Sequence, residues 1–347
     1  MTANLAAVLY APGDVRIERR PVPEPGPREV LVEIRVVGVC GSDVHYFEHG
    51  RIGDHVVRAP LVLGHESAGV VAGVGSDVRR YSVGDRVALE PGVPCDSCRE
   101  CRAGRYNLCP DVRFFATPPV DGALANYVTI HEDFAFALPP DLTDEEGALM
   151  EPLSVAIWAN RKGRVGPDTA VLVTGAGPIG QLAIQVARAL GATELTVTDV
   201  IPHRLEVASE GGASRALDVS QTPLPEAGVE ADVLLECSGH PDAVRDGVQA
   251  LRPAGRAVMV GMGPADEMPI PMAVVQNREL WLTGTFRYAN TYPAAIALAA
   301  AGRVNLRAII TGRFALADTE AALRAGREDP ASIKPLVVPG SLVSAGS

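Results

Sequence analysis

The 347-residue chain carries 31 Lys and Arg against 42 Asp and Glu, a formal net charge of -11, and 47% of it is hydrophobic. That length and apolar content predict two folded domains and argue against disorder, while the acidic balance excludes a nucleic-acid partner and a basic membrane-binding face, both of which need concentrated positive charge. No apolar run approaches spanning length and Met1 to Arg20 lacks a basic start before an apolar core, so no membrane partner and a cytoplasmic location are expected.

From Glu29 to Val39 the apolar residues alternate at Val30, Val32, Ile34 and Val36, the period of a half-buried strand. Glycine-rich turns follow up to Gly92, so the first third is expected to be all-β. Cys40 follows that strand in Val39-Cys-Gly-Ser-Asp43, His65 and Glu66 follow Gly64, and Glu151 stands before Pro152. Singly these are ordinary: an isolated cysteine is usually core, a lone histidine structural, and a glutamate beside proline a helix-terminal residue.

Cys95, Cys98, Cys101 and Cys109 are different. Four thiolates within so short a stretch suit a closed tetrahedral zinc site. The other two cysteines, Cys40 and Cys237, stand alone in a large chain, which favours metal over a disulfide framework. Cys237, at the end of an apolar strand, reads as a small buried side chain.

Beyond about Ser154 strand and helix patterns alternate: Ala170 to Thr174, a helix, Leu195 to Asp199, a helix, Asp232 to Glu236, and so on to Trp281, which means a parallel, helix-covered sheet. Val171 to Gly180 is an apolar strand running into G-x-G-x-x-G. Gly175 permits the tight turn, Gly177 the approach of a pyrophosphate, and Gly180 close helix–strand packing. Ile179, Leu182, Ala183, Val186, Ala187 and Leu190 then repeat at helical spacing, and Gly191 is placed to end that helix, whose positive N-terminus would hold the phosphates. Asp199 closes the next strand, where it can accept from ribose hydroxyls and repel a 2′-phosphate, favouring NAD over NADP; it can also cap the helix begun by Pro202. Arg204 is the nearby residue that would suit a 2′-phosphate. An amphipathic helix at Pro293 to Ala301 and a strand at Ile333 to Val338 make a tail expected to pack back on the first domain.

Gly64-His65-Glu66-x2-Gly69-x5-Gly75-x2-Val78 resembles the zinc signature of the medium-chain alcohol dehydrogenases, and the cysteine lobe and the later glycines follow in that family's order across essentially the whole chain. Within it, Cys40-Gly-Ser-Asp-Val-His-Tyr46, Phe115-Ala-Thr-Pro-Pro119, Glu151-Pro-Leu-Ser154 and Phe286-Arg-Tyr288 resemble the polyol branch, sorbitol and xylitol dehydrogenases. The resemblance implies an α/β protein: a β-rich GroES-like catalytic zinc-binding domain over residues 1–153 and 286–347, and a Rossmann NAD-binding domain, a doubly wound parallel sheet, over 154–285.

It further implies that Cys40, His65 and Glu66 bind a catalytic zinc, with Glu151 at that site through the metal's water, and that the four-cysteine zinc is structural. Glu151 stands where the broader family has a cysteine, which makes the site harder and leaves room for adjacent hydroxyls. Tyr46, Phe114 or Phe115, Glu151, Arg287 and Tyr288 would contact substrate. Gly175, Gly177, Pro178, Ile179, Gly180, Asp199, Arg204, Gly261, Met262, Thr285, Phe286 and Arg287 would face the cofactor. The implied reaction takes a polyol's secondary hydroxyl to a ketose with hydride transfer to NAD, the proton leaving by Glu151 with Ser42 or His45. A homotetramer is expected, with the apolar stretch Leu280 to Phe286 available for edge pairing. Two other readings remain: a non-catalytic zinc- and nucleotide-binding regulator, against which the retained Cys40, His65, Glu66 and Glu151 speak, and the same chemistry on threonine or a sugar acid, which Arg287 makes conceivable.

Overall fold

The computed structural model describes residues 4–263 and 267–340, which fall into two compact units, Met1–Glu151 with Ile310–Ser347, and Pro152–Ile309. In the first unit the strand Glu29–Gly38 is central to a seven-stranded sheet. It pairs antiparallel with Glu66–Val74, Tyr127–His131 and Lys334–Val338; Arg86–Leu89 and Ala135–Ala137 extend the sheet on one side, and Ile310–Ala315 on the other. Val30, Val32, Ile34 and Val36 are buried while Glu33 is half-buried and Arg35 exposed, so the middle of this strand has the half-buried alternation; Leu31 and Val37 are buried as well, so towards its ends the strand is covered on both faces. The same core takes in Ala6, Val8 and Leu9 from Asn4–Ala11 and Leu61 and Val62, strands of a separate three-stranded sheet.

The first third is not all-β. Gly41–His49 is an α-helix with Cys40 as N-cap, and Asp43 returns its carboxylate to the Cys40 amide at 3.1 Å. Its buried residues, Asp43, Tyr46 and Phe47, share one face, and Gly50 ends it at φ +68. Nine residues, opening on Gly-Ser-Asp, hold too few apolar positions for a helical period to show.

The second unit is a six-stranded parallel sheet in the order Arg215–Asp218, Glu194–Asp199, Ala170–Thr174, Ala231–Glu236, Leu251–Met259, Trp281–Gly284. This is the doubly wound order, and the direction of winding reverses between Ala170–Thr174 and Ala231–Glu236, where a crevice opens beyond the strand ends. Ala170–Thr174 is buried at every residue, as an apolar strand covered on both faces must be. The helix Pro178–Ala189 follows, with Gly177 as N-cap, and its buried Leu182, Ala183, Val186 and Ala187 pack inward.

The units divide at Ile310, not at 286. Asn305 exchanges hydrogen bonds with Gln185, Arg161 donates to the Asn290 carbonyl at 3.0 Å, and Arg303 to that of Ala189 at 3.0 Å, so 290–305 is tied to the parallel-sheet unit. The helix there, Tyr292–Ala300, is Ala, Ile and Leu after its opening Tyr-Pro and has no polar face, unlike the amphipathic helix expected. Among the described residues no helix is long and apolar enough to cross a membrane.

Candidate active site and cofactor crevice

Register assembles the first site. Gly38 pairs with Glu66 across the sheet, so the chain leaving one strand through Val39 to Cys40 runs beside the chain entering the next through His65. The donor atoms of Cys40, His65 and Glu66 all lie within 4.8 Å of one another. A thiol, an imidazole and a carboxylate at that separation are a zinc donor set that leaves a coordination position open. A Cβ on Gly38 would stand 2.1 Å from Glu66 Oε2, so only glycine leaves room for that carboxylate. Asp43, itself buried, accepts from the Gly64 amide at 2.9 Å and lies 3.6 Å from His65 Nδ1, orienting the ring as a carboxylate behind a metal-binding histidine does. Burial disfavours the imidazolium, but Asp43 and then Cys40 outweigh it and hold the His65 pKa well above its ordinary value.

The residue sequence reasoning missed is Lys334. Its Nζ, 2% exposed, donates to both Glu66 oxygens and to the Val39 carbonyl at 2.9 Å. Burial would lower its pKa; Glu66, then Cys40, raise it instead.

Glu151 lies outside the close trio, buried in the first turn of the helix Met150–Gly163, with its charge felt at Lys334 and at Glu90. Glu90 is buried, accepts from Tyr106 Oη at 2.7 Å, and burial pushes its carboxyl up to about 7. Phe114 is buried with its ring 5.6 Å from that of His65, Phe115 is half-buried, and Tyr46 is buried on the Gly41–His49 helix. Ser42 and His45, the candidate relay residues, lie on that helix, the His45 ring 5.8 Å from His49.

Cys95, Cys98, Cys101 and Cys109 form a second cluster with sulfurs within 4.8 Å, and all six cysteines are unbridged. The short helix Arg99–Arg102 starts from Cys98, whose sulfur accepts from the Cys101 amide at 3.4 Å; Cys109 accepts likewise from Cys95. Hydrogen bonds from the Ser97 hydroxyl and the Ser97 and Cys98 amides pull the Cys95 thiol down to about 6, while burial and then the Cys98 and Cys109 thiols push Cys101 up to about 12. Four sulfurs converging within 4.8 Å are a donor set whose chemistry fits zinc.

In the second unit Gly175, at φ +85, turns the chain so that the Ala176 amide donates to Asp199 at 2.6 Å. The other Asp199 oxygen accepts from Val200 and Ile201, so its carboxylate braces the glycine turn and the loop leading into the helix Pro202–Glu210, which carries Arg204; that helix starts from Ile201 without a side-chain cap, so Asp199 does not cap it. Nothing lies within 4 Å of a Cβ built on Gly177, whereas one on Gly180 would stand 1.9 Å from the Gly175 carbonyl. The first glycine therefore keeps space open and the second lets helix and turn touch. Pro178 and Ile179 open that helix. A cavity of about 550 Å³ at the strand ends is lined by Gly175, Asp199, Val200, Ser238, His240 and Asp242. Open space over the glycine turn and an acidic residue at the next strand end fit a dinucleotide.

Gly261 packs against the Gly239 amide, Met262 is exposed, and the Thr285 amide donates to the Met259 carbonyl at 2.9 Å. Phe286 is exposed under the Arg287 guanidinium, 4.7 Å from its ring centre; Arg287 itself has φ +54, and Tyr288 is buried 5.9 Å from Tyr292.

Residues 26–140 match the alcohol dehydrogenase GroES-like domain and 178–301 the zinc-binding dehydrogenase domain. Sorbitol dehydrogenase of Mus musculus is 46% identical over 321 residues, 90% of each chain, and that of Bacillus subtilis (strain 168) 43% over 326 residues, 92% of each. The crystal structure of an Escherichia coli oxidoreductase of unknown specificity, involved in membrane biogenesis, superposes with a TM-score of 0.93 at 35% identity, covering 98% of this chain and all of that one. The chain belongs to the zinc-dependent medium-chain dehydrogenases, in their polyol branch. It is accordingly an NAD-dependent zinc polyol dehydrogenase.

Proposed function

We propose that the substrate is a sorbitol- or xylitol-like polyol, oxidised at a secondary hydroxyl to the ketose, and that Cys40, His65 and Glu66 hold the catalytic zinc. The observation that carries this is the convergence of those three donors beside a buried carboxylate, Glu151. Bound zinc supplies Lewis acidity that makes a hydroxyl more acidic, and NAD supplies the hydride acceptor.

The chain's own residues do the rest. Glu151 takes the hydroxyl proton, a role its charge effect on Lys334 and Glu90 supports, and Glu90, with its carboxyl pushed up to about 7, shares it near neutral pH. Ser42 or His45 carries the proton onward. Tyr46, Phe114 and Phe115 flank the carbon chain, and Arg287 and Tyr288 supply donors to its hydroxyls. Gly175, Gly177, Pro178, Ile179 and Gly180 seat the pyrophosphate; Asp199 selects NAD; Gly261, Met262, Thr285 and Phe286 complete that face. The four-cysteine lobe holds a structural zinc. Trp281, 61% exposed on the edge strand Trp281–Gly284, supports edge pairing into a homotetramer. Six unbridged thiols suit the reducing cytoplasm.

The test is to measure zinc per chain and NADH formation with a panel of polyols, primary alcohols, threonine and sugar acids, with NADP as control. Polyol-dependent NADH with close to two zinc ions, lost in Cys40→Ala, is the expected result. Zinc and NAD binding without turnover on any substrate would favour the regulator.

A further inference from the structure

The strand Ala231–Glu236 ends on a buried carboxylate that the reaction does not use. Glu236 is 1% exposed, with no basic side chain bonded to it among the described residues. Four donors satisfy it instead: Thr174 Oγ1 at 3.2 Å, the Ser238 amide at 2.9 Å, the Ser238 hydroxyl, and the Gly239 amide at 3.0 Å to one oxygen and 3.1 Å to the other. Its main-chain carbonyl accepts from both Val260 and Gly261 at 2.8 Å. One residue thereby joins the ends of three adjacent strands, Ala170–Thr174, Ala231–Glu236 and Leu251–Met259, across the point where the winding reverses.

The Ser238-Gly239 turn it holds is wedged into the crevice. A Cβ on Gly175 would stand 2.9 Å from the Ser238 backbone, one on Gly239 2.5 Å from the Met262 carbonyl, and one on Gly261 2.3 Å from the Gly239 amide. Ser238 also lines the cavity beside Gly175 and Asp199. A shift of this turn is therefore a shift of the crevice wall, because backbone from Gly175 on one side and from Gly261 and Met262 on the other lies directly against it.

We infer that Glu236 is a positioning residue for the dinucleotide: without touching the cofactor, its carboxylate sets the Ser238-Gly239 turn in the conformation that NAD binds. The inference rests on reading this crevice as the NAD site. All four donors reach Oε1 and the Gly239 amide is shared with Oε2, so a glutamine would keep an oxygen for the four but remove the charge and turn an N–H onto the Gly239 amide.

The experiment is calorimetric titration of the zinc-loaded enzyme with NAD, alongside amide hydrogen exchange of the NAD-free protein, for the parent, Glu236→Gln and Thr174→Val. Glu236→Gln should weaken NAD binding roughly tenfold, the size of one lost charge-assisted hydrogen bond, and speed exchange at Ser238 and Gly239. It should raise the KM for NAD while leaving zinc content, KM for the polyol and kcat at saturating NAD unchanged. Thr174→Val, which removes one donor and keeps the shape, gives a smaller change of the same sign and serves if Glu236→Gln does not fold. Variants that fold and bind NAD within twofold of the parent would overturn the inference; a parent that binds no NAD would overturn the crevice reading beneath it.

Discussion

Lys334 places its Nζ 2.7 and 2.8 Å from the two oxygens of Glu66, and both side chains are buried. A carboxylate and an ammonium so enclosed must neutralise one another, because either left alone would retain its full desolvation cost. Lys334→Met should therefore lower the unfolding free energy of the zinc-free protein by about 3–5 kcal/mol, read from urea denaturation. Combining it with Glu66→Gln should cost less than the sum of the two, and additive costs would show the pair to be uncoupled.

Gly38→Ala should act on the same carboxylate from the other side. The new Cβ would meet Glu66 Oε2 at 2.1 Å, so Glu66 must move out of the trio. Zinc measured by mass spectrometry should fall from about two ions per chain towards one, if each donor cluster holds a single ion. Full zinc content would show that Glu66 has another place to go.

Glu90 predicts a pH dependence of stability. Burial chiefly, against the Tyr106 hydrogen bond, raises its folded pKa from 4.5 to about 7. The folded state then holds a proton that the unfolded state has released, so this contribution is whole below pH 4.5, declines as pH rises through about 7, and stays lost above. Glu90→Gln should flatten that decline, which amounts to a few kcal/mol at most by linkage. Unfolding curves at pH 5 and pH 8 that keep the parent's difference would refute it.

The glycines of the cofactor turn should separate by role. Gly177→Ala meets no protein atom, so the variant should fold with an unchanged melting temperature yet bind NAD roughly a hundredfold more weakly, as expected of a methyl group set against the pyrophosphate. Gly180→Ala drives a Cβ into the Gly175 carbonyl and should lower the melting temperature itself. Equal melting temperatures for the two variants would contradict this division.

What the sequence made legible was local. The glycine turn with its flanking strand and helix, and the four closely spaced cysteines, are short strings whose spacing carries their chemistry. Cys40, His65 and Glu66 come together through the pairing of Gly38 with Glu66, a non-local register that no single stretch displays. Lys334 could be read only as part of a strand, because its partner lies 268 residues away. Glu236 was passed over for a similar reason, as three of its four donors follow it closely but their common purpose depends on Gly175 and Gly261 arriving from other strands. The Gly41–His49 helix was obscured by its own brevity, and the division at Ile310 by hydrogen bonds that tie Asn290, as acceptor from Arg161, and Arg303 and Asn305, as donors, to distant residues.

The strand that carries Lys334 also has a bearing on biosynthesis. It pairs with Glu29–Gly38, yet the entire parallel-sheet unit is encoded between them. A ribosome delivers Cys40, His65 and Glu66 early and their counter-charge last, so the nascent chain must carry an uncompensated Glu66 until residue 334 has emerged from the exit tunnel. The amino-terminal segments of this enzyme thus wait for an inserted domain to be translated before their own sheet can close.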